Sequence, residues 1–197
     1  MTLVNIAQSL TIALDARDNN TRQHSDRVVE LSVRLGQHIS LTHREIKALT
    51  LGAQFHDIGK IGIPDHVLSK PSAFEETEWA CMKQHPVIGE RIILAMGDEF
   101  AAEVANIVRH HHEHFDGSGY PDRLCGTTIP LHARIISLAD NYDAMAVSRP
   151  YHQARAHKSV MDILHSENGI KHDPDLLHAF CHVIEQSRLD APCPLSE

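Results

Sequence analysis

The chain has 197 residues, of which 42% are hydrophobic and 22% are charged, and this composition is typical of one globular domain with a hydrophobic core. Its formal net charge of -8 argues against general binding to nucleic-acid polymers, which requires a basic face. No apolar run approaches the roughly 20 residues of a membrane helix, and no signal peptide opens the sequence. We therefore expect no membrane segment and a cytoplasmic location.

The apolar residues recur at helical spacing along most of the chain, and no alternating strand pattern is found. Thr42 with Glu45 predicts a capping box, and Asp173 before Pro174 predicts another helix start. We predict helices over 3–14, 24–35, 42–56, 74–84, 87–95, 100–112, 131–147, 159–165 and 173–187. Residues 113–130 are rich in glycine and proline and predict a long loop, and residues 188–197 predict a C-terminal tail. The sequence therefore predicts a single all-α domain spanning 1–197.

The cysteine and histidine contents indicate which disulfide and metal chemistry the chain can support. The four cysteines show no CxxC pairing, which favours reduced thiols over a disulfide scaffold: Cys81, Cys125, Cys181 and Cys193. Seventeen histidines are a large excess, and most of them cannot be metal ligands.

The segment HDIGKIGIP begins at His56, at the end of a predicted helix. The carboxylate of Asp57 offers two oxygens and can bridge two ions, while the neighbouring imidazole binds one of them. Lys60 carries a compact positive charge suited to a phosphate oxygen, and Gly59 allows close approach of the backbone. This pattern favours a metal-dependent phosphohydrolase.

The segment HHEHFDGSGYP begins at His111, at the end of another predicted helix. Adjacent helical residues do not share a face, so His111 and His112 can bind one site only if the helix ends there. Glu113 and the following glycines supply that ending. His110 and His114 flank the pair, and spacing alone leaves the choice among these four histidines open.

Together these segments resemble the HD-GYP family, a branch of the HD phosphohydrolase superfamily that hydrolyses cyclic dinucleotides, chiefly cyclic di-GMP. The resemblance covers about residues 14–180 and implies a helical bundle of the HD-domain type. The matching segments, in the family order, are TRQH ending at His24, HDIGKIGIPD at 56–65, KQHPVIG at 83–89, HHEHFDGSGYP at 111–121, LADNYDA at 138–144 and RPY at 149–151.

By motif position, the resemblance implies two metal sites that share Asp57. One site would use His85, His111 and His112 with Asp57, and the other would use His24, His56, Asp57 and Asp140. His110 and His114 then become neighbours of the ligands. The metals are divalent, and the family likeness favours iron or manganese, with nickel or zinc as alternatives.

Two departures from the family pattern modify these expectations. Some members carry a glutamate four residues before the first ligand histidine, where it recruits a third metal; this chain has Asn20 there, and Asp15 and Asp18 sit at other spacings. We therefore expect two ions. The family also places Lys or Arg after the RPY motif, whereas this chain has His152, so phosphate binding there would depend on pH.

The resemblance implies hydrolysis of cyclic di-GMP to linear pGpG or GMP by a metal-bridging hydroxide. Asp57 and Lys60 would be catalytic, and Asp143 would orient a ligand or transfer a proton. The expected substrate contacts are Lys60, Gly119, Tyr120, Arg149 and His152, with Gly117 and Pro121 shaping the loop. Tyr120 could equally be a packing residue.

Two other functions remain compatible with the sequence. One is a sensory module that binds the nucleotide, or a partner such as a diguanylate cyclase, without turnover; the intact ligand positions argue against it. The other is an HD enzyme acting on a different nucleotide, such as cyclic GMP-AMP, because the metal core contacts only the phosphate. HD-GYP domains commonly follow receiver or sensor domains, so a regulatory domain is also expected.

Overall fold

The computed structural model describes residues 9–10, 12–14, 17, 21–97, 99–147 and 155–190, and the regular structure in these ranges is helical. The helices are α1 (Thr21–His38), α2 (His43–Phe55), α3 (Asp65–Leu68), α4 (Glu76–Met82), α5 (His85–Ala95), α6 (Ala101–His110), α7 (Leu131–Ala146), α8 (His157–Ser166) and α9 (Pro174–Asp190). Two short 3-10 segments span Ile58–Gly62 and Gly126–Thr128. Extended pairing in the described ranges is limited to one bridge between Asn168 and His172. The predicted all-α class is confirmed.

Both predicted helix starts are present. Thr42 and Glu45 form the capping box, with the Thr42 backbone N–H donating to Glu45 Oε2 at 2.8 Å. Asp173 Oδ1 accepts a hydrogen bond of 2.9 Å from the backbone N–H of Asp175, which fixes the first turn of α9.

The last helix is longer than predicted. It continues through Asp190, three residues beyond the predicted end at Ser187 and into the segment predicted as a tail. Proline disfavours helical backbone in the residue before it, so the chain offers its first strong helix stop only at Pro192. Residues 191–197 lie outside the described part of the chain.

The helix boundaries on both sides of Pro86 and at the end of α6 also differ from the prediction. The predicted helix over 74–84 is shorter, Glu76–Met82, and α5 begins at His85 because Pro86 tolerates the first helical turn, where its missing N–H is not needed. Helix α6 ends at His110 rather than at residue 112. His111 and His112 therefore follow the helix end, where adjacent side chains can turn toward one site.

The core lies between α1, α2, α6 and α7, and α8 and α9 cover one side of it. Side chains less than 2% exposed include Val28, Leu35, Leu49, Phe55, Ile107, Val108, Ile135, Ile136, Leu138, Leu164 and Phe180. A small second cluster of Ile63, Val67 and Met82 packs beneath the segment that follows α2. This arrangement holds the ends of α2 and α6 against the middle of α7.

Gly59 allows the 3-10 segment to lie directly on the start of α5. A Cβ atom at Gly59 would lie 1.8 Å from the carbonyl oxygen of His85 and 2.6 Å from the backbone nitrogen of Gly89. No side chain fits there unless the backbone moves. This close approach brings Asp57 and Lys60 beside His85.

Two sequence expectations concern the whole chain. Among the described helices, none combines the length and the apolar character that crossing a bilayer requires. Cys81, Cys125 and Cys181 are free thiols, as predicted, and Cys193 lies outside the described residues.

Candidate metal centre

Seven side chains from five helices and their ends converge on one buried region. The ligand atoms form two groups, within each of which they lie no more than 4.8 Å apart: Asp57, His85, His111 and His112 in the first, and His24, His56 and Asp140 in the second. These are the seven residues that the motif positions predicted as ligands.

Asp57 lies between the two groups. Its Oδ1 is 3.5 Å from His85 Nε2, in the first group, and its Oδ2 is 3.4 Å from His56 Nε2, in the second. One oxygen thus faces each group, which is the placement that a bridging carboxylate requires.

Three of the histidines are held in the same way. The Nδ1 atoms of His56, His85 and His111 each contact the carbonyl oxygen of the residue three positions earlier, at 2.6, 2.9 and 2.6 Å. A carbonyl oxygen can only accept a hydrogen bond, so each Nδ1 carries the proton and donates it. Each Nε2 is left with a lone pair directed into the site, as in a metal-ligating histidine whose tautomer is fixed by an outer hydrogen bond.

The Nε2 atoms lack the partners that a metal-free polar site would provide. His56 Nε2 is buried and has no hydrogen-bond partner within the described part of the chain. His85 Nε2 and His111 Nε2 lie 3.3 Å apart, although both carry lone pairs. Two nitrogens bonded to one ion at about 2.1 Å stand about this far apart. The donor set therefore fits divalent metal ions.

The protonation states of the first group also suit metal binding. Burial lowers the pKa of His85 to about 4 and that of His112 to about 3, and it holds the pKa of His111 well below its usual range. For Asp57, burial alone would raise the pKa, but the charge of Lys60 holds it well below the ordinary carboxyl value. Near pH 7 the group therefore offers neutral imidazoles and an anionic carboxylate.

His24, in the second group, is held by side chains instead of by the backbone. Its Nδ1 lies 2.6 Å from Asp143 Oδ2, and its Nε2 lies 3.0 Å from Asp140 Oδ1. Burial opposes the charged form, but the hydrogen bonds to these two carboxylates raise the pKa of His24 to about 9. Nε2 is the atom that faces the second group, so a metal would replace its proton there.

Asp143 acts on the centre through His24. Arg27 donates to both of its oxygens, from Nε to Oδ1 at 2.5 Å and from a terminal nitrogen to Oδ2 at 3.0 Å. Asp143 is buried and does not line the cavity over the ligands. The structure thus places this predicted catalytic residue in the position of an orienting carboxylate. Arg27 was missed by the sequence analysis; its only signal was its place one helical turn after His24.

A cavity of about 310 Å³ opens over the ligands. Its polar wall consists of His24, Asp57, Lys60, His85, His112 and Asp140, and its apolar wall consists of Leu68, Phe74, Trp79, Met82, Tyr120 and Ala144. Lys60 Nζ donates to Asp57 Oδ2 at 2.7 Å. The lysine therefore places a positive charge in the cavity beside the carboxylate that joins the two groups.

The loop after α6 packs against the ligands. The Tyr120 ring stacks on the His112 ring, with centroids 4.9 Å apart, and Tyr120 also lines the cavity. Burial and the charges of Asp57 and Asp140 raise the pKa of Tyr120, so its hydroxyl stays protonated. Tyr120 thus occupies both positions that the sequence analysis considered, the packing position and the cavity position.

Gly119 is tightly enclosed by the same loop. A Cβ atom there would lie 2.2 Å from the backbone nitrogen of His114 and 2.6 Å from the carbonyl oxygen of His112. Gly117 adopts a φ of 84°, and the peptide bond between Tyr120 and Pro121 is cis. The close packing of Gly119 against the backbone accounts for a glycine there without any substrate contact.

A third group of potential ligands has a different character. His110, Glu113 and Asp122 also place ligand atoms within 4.8 Å of one another. However, Arg109 donates to both Asp122 oxygens, at 2.6 and 2.8 Å, and His110 Nε2 lies 2.8 Å from Asp122. We call these four residues the Arg109 cluster. His114 contacts Ser118 Oγ through Nδ1 at 2.9 Å and belongs to none of the groups.

Several predicted residues lie outside the described part of the chain. They are Asp15, Asp18, Asn20, Arg149 and His152. That Asn20 leaves no site for a third metal, and that Arg149 and His152 bind phosphate, stay predictions.

Known proteins resemble this chain along most of its length. The HD domain family matches residues 8–176. The chain is 37% identical over 170 residues to the cyclic di-GMP phosphodiesterase response regulator RpfG of Xanthomonas campestris, covering 86% of this chain and 45% of that protein. It is 36% identical over 166 residues to the 3'3'-cGAMP-specific phosphodiesterase 1 of Vibrio cholerae, covering 84% and 38%. The chain thus spans less than half the length of these curated relatives.

A solved structure supports the same fold. The chain matches a Vibrio cholerae phosphodiesterase described as specific for cyclic GMP-AMP, V-cGAP3, with a TM-score of 0.70 and 20% identity. The match covers 95% of this chain and 50% of that one. The chain belongs to the HD domain family, and within it to the HD-GYP type that its motifs resemble.

Proposed function

We propose that this domain is a metal-dependent phosphodiesterase that hydrolyses a cyclic dinucleotide. The observation that carries this proposal is the placement of Asp57, with one oxygen facing each of two groups of buried ligands. Two ions bridged by a carboxylate are the usual arrangement for hydrolysis of a phosphate diester. The names of the relatives supply the substrate class, since they include cyclic di-GMP and cGAMP phosphodiesterases.

The chain would hold two divalent ions, with Asp57 shared between them. When bound, such ions lower the pKa of a water molecule and polarise the scissile phosphodiester. The imidazole-rich ligand set suits iron, manganese, nickel or zinc, and the family likeness favours iron or manganese. Because Asn20 stands where a third ligand would be needed, we propose that occupancy does not exceed two ions per chain.

The chain's own residues would bind and orient the substrate. Lys60 lies in the cavity and would neutralise a phosphate oxygen where negative charge develops. We propose the same role for Arg149 and, when protonated, for His152. Asp143 keeps the His24 ring in place, and the protonated hydroxyl of Tyr120 is available as a donor. Gly119 would serve the site by keeping Tyr120 against His112.

Cyclic di-GMP is the substrate that the resemblance favours, with linear pGpG or GMP as the product. Cyclic GMP-AMP is the alternative, since relatives named for the two substrates differ by only one percentage point of identity to this chain. The ligands would hold ions that act on the phosphodiester linkage, which both substrates share. We also propose a cytoplasmic location and control by a sensor or receiver domain or by a diguanylate cyclase partner, as the resemblance implies.

Metal analysis combined with product chromatography tests this proposal. The protein is purified without oxygen, loaded with iron(II) or manganese(II), and incubated separately with cyclic di-GMP and cyclic GMP-AMP. We expect two ions per chain and a linear or mononucleotide product from at least one substrate. If a preparation holding two ions leaves both nucleotides intact, the domain is not this phosphodiesterase.

A further inference from the structure

A second groove, of about 820 Å³, lies beside the cavity over the metal ligands. The two spaces share Trp79, His112 and Tyr120 as lining residues, so one wall continues from the ligands into the groove. The cavity itself, at about 310 Å³, is near the lower limit for a small-molecule site. A ligand larger than this cavity would extend along the shared wall.

The groove has a cationic lining, although the chain has a net charge of -8. Lys83, Arg123 and Lys171 line it, and no Asp or Glu is found among its described lining residues. Lys171 Nζ is paired with Glu167 at 2.5 Å, which offsets its charge. Lys83 and Arg123 have no such acidic partner within the ranges that the structure describes. Their charges are therefore available to an anion.

The backbone at Arg123 is also unusual. Arg123 has a φ of 57°, in the left-handed region that residues other than glycine rarely adopt. Such conformations persist where the surrounding structure imposes them, and they concentrate at ligand sites. Arg123 is exposed and lines the groove together with Pro121 and Tyr120, in the loop that packs on His112.

Trp79 stands where the cavity and the groove meet. Its side chain is 44% exposed, although it is large and apolar. The ring is supported on one side by Phe74, with centroids 6.0 Å apart and planes 18° apart, and Tyr120 meets it edge-on at 6.2 Å. An exposed aromatic ring held beside a cationic groove is typical of a surface on which a nucleic-acid base stacks.

A cyclic dinucleotide has the shape and charge that this surface requires. Its two phosphodiesters lie on opposite sides of the macrocycle, so only one of them can occupy the metal centre at a time. We propose that the groove binds the half of the substrate that is not being cleaved, with a base on Trp79 and the second phosphodiester between Lys83 and Arg123. This inference rests on the proposed function, because it names where the substrate of that site extends.

Trp79 is the only tryptophan in the chain, so its fluorescence reports directly on the groove. The bis-phosphorothioate analogue of cyclic di-GMP, which resists hydrolysis, is titrated into the metal-loaded protein while fluorescence and binding heat are recorded. We expect the analogue to quench Trp79 with the same Kd that calorimetry gives. If the analogue binds by calorimetry without any change in fluorescence, the base does not lie on Trp79.

Two substitutions test whether Lys83 and Arg123 contribute to binding. Lys83→Gln removes one charge, and Arg123→Gly removes the other while installing the residue that best tolerates a positive φ, so the loop is expected to keep its fold. Each change should raise the Kd of the analogue by about 3- to 10-fold, as expected for the loss of one partly exposed charge contact. Arg91→Ala, which removes an exposed charge on α5 away from the groove, is the matched control and should leave the Kd unchanged.

A small substrate separates this inference from the proposed function. Bis(p-nitrophenyl) phosphate has a single phosphodiester, so both variants should hydrolyse it at the wild-type rate while the KM for cyclic di-GMP rises. If wild type cleaves cyclic di-GMP and neither variant changes its KM or the Kd of the analogue, the groove inference is wrong and the proposed function stands. If the variants bind the analogue more weakly but wild type cleaves neither cyclic di-GMP nor cyclic GMP-AMP, the groove inference stands and the proposed function fails. If metal-loaded wild type binds neither this analogue nor cyclic GMP-AMP, both the groove inference and the proposed function are refuted.

Discussion

The metal centre and the Arg109 cluster are built from the same residue types but differ in what surrounds them. Both bring His and acidic side chains within 4.8 Å of one another, and both include residues at or just after the end of α6. In the cluster, Arg109 donates to both Asp122 oxygens and also to Glu90, so the protein supplies the positive charge. Of its acceptors, Glu113 Oε2 is buried without a partner among the described residues, and one such atom is too few to hold a cation.

In the metal centre, the protein's own donors do not satisfy the ligand atoms in this way. Lys60 pairs with one carboxylate oxygen of Asp57, but within the described part of the chain no N–H or O–H donor is directed at the Nε2 lone pairs of His56, His85 and His111. The comparison teaches that proximity of ligand residues is not enough to identify a metal site. What distinguishes the centre is a set of buried lone pairs, fixed in direction, that the protein leaves for an external cation.

Asp57→Ala should have the largest effect, because the carboxylate is shared by both groups of ligands. We expect the variant to lose both ions and at least about a thousandfold in activity, as when a main transition-state contact is removed. Metal analysis and product chromatography measure the two losses. Asp122→Asn, a carboxylate change in the Arg109 cluster, is the control and should retain both ions. An Asp57→Ala protein that still holds two ions would show that the groups are not bridged.

The histidine run provides the next test. His111→Ala should remove the ion of the first group, because its Nε2 lies 3.3 Å from that of His85. His110→Ala should leave metal content nearly unchanged, because His110 Nε2 is directed at Asp122. Elemental analysis of the two variants, expressed and loaded in parallel, compares them directly. If His110→Ala loses as much metal as His111→Ala, the assignment of the run is off by one residue.

These two regions also show how far the sequence alone could reach. Helical periodicity and the capping signals predicted the all-α fold and the starts of α2 and α9. For the histidine run, spacing left four candidates, and the family likeness selected His111 and His112. The geometry explains that selection, because α6 ends at His110 and the next two side chains turn into the site. Helix periodicity cannot locate such an end to within one residue.

Contacts between distant parts of the chain could not be predicted. Arg27 and Asp143 are 116 positions apart, and nothing in the residues around either of them indicates the pair. Trp79 and Arg123 likewise become neighbours of the centre only through the packing of α4 and the loop after α6. Short motifs carry the ligands and, for His56, His85 and His111, also the nearby carbonyl that orients each ring, whereas the carboxylate that orients His24 comes from another helix.

Asp143→Asn should have an intermediate effect on the centre. The amide can still accept a hydrogen bond from His24 Nδ1, but it removes the negative charge and the ion pair with Arg27. Loss of such an outer partner typically lowers metal affinity or activity by about 10- to 100-fold. Competition with a chelator measures the affinity of the second group. Arg27→Gln, which keeps the Asp143 carboxylate, should have a smaller effect, and equal losses in the two variants would assign the role to the pair as a whole.

The smallest effect should be that of Asp122→Asn on stability, since the Arg109 cluster binds no ion in this interpretation. Hydrogen bonds from Arg109, and then from His110, lower the pKa of Asp122 to about 2. A carboxyl group whose pKa is lower in the folded than in the unfolded protein stabilises the fold above the unfolded value, about 3.9. That contribution disappears as the pH falls through the folded value.

The cluster is partly exposed, so the contribution at pH 7 should be only about 0.5–1 kcal/mol in the free energy of unfolding. Urea unfolding of the metal-free protein should show that difference between wild type and Asp122→Asn at pH 7, and the two curves should converge as pH falls from about 4 to about 2. Asp162→Asn, a change at an exposed carboxylate on α8, is the control and should show no such convergence. If the difference in the free energy of unfolding grows on acidification, the Asp122 carboxylate is unfavourable in the folded cluster. Arg109 would then not supply the positive charge that a metal supplies in the neighbouring centre.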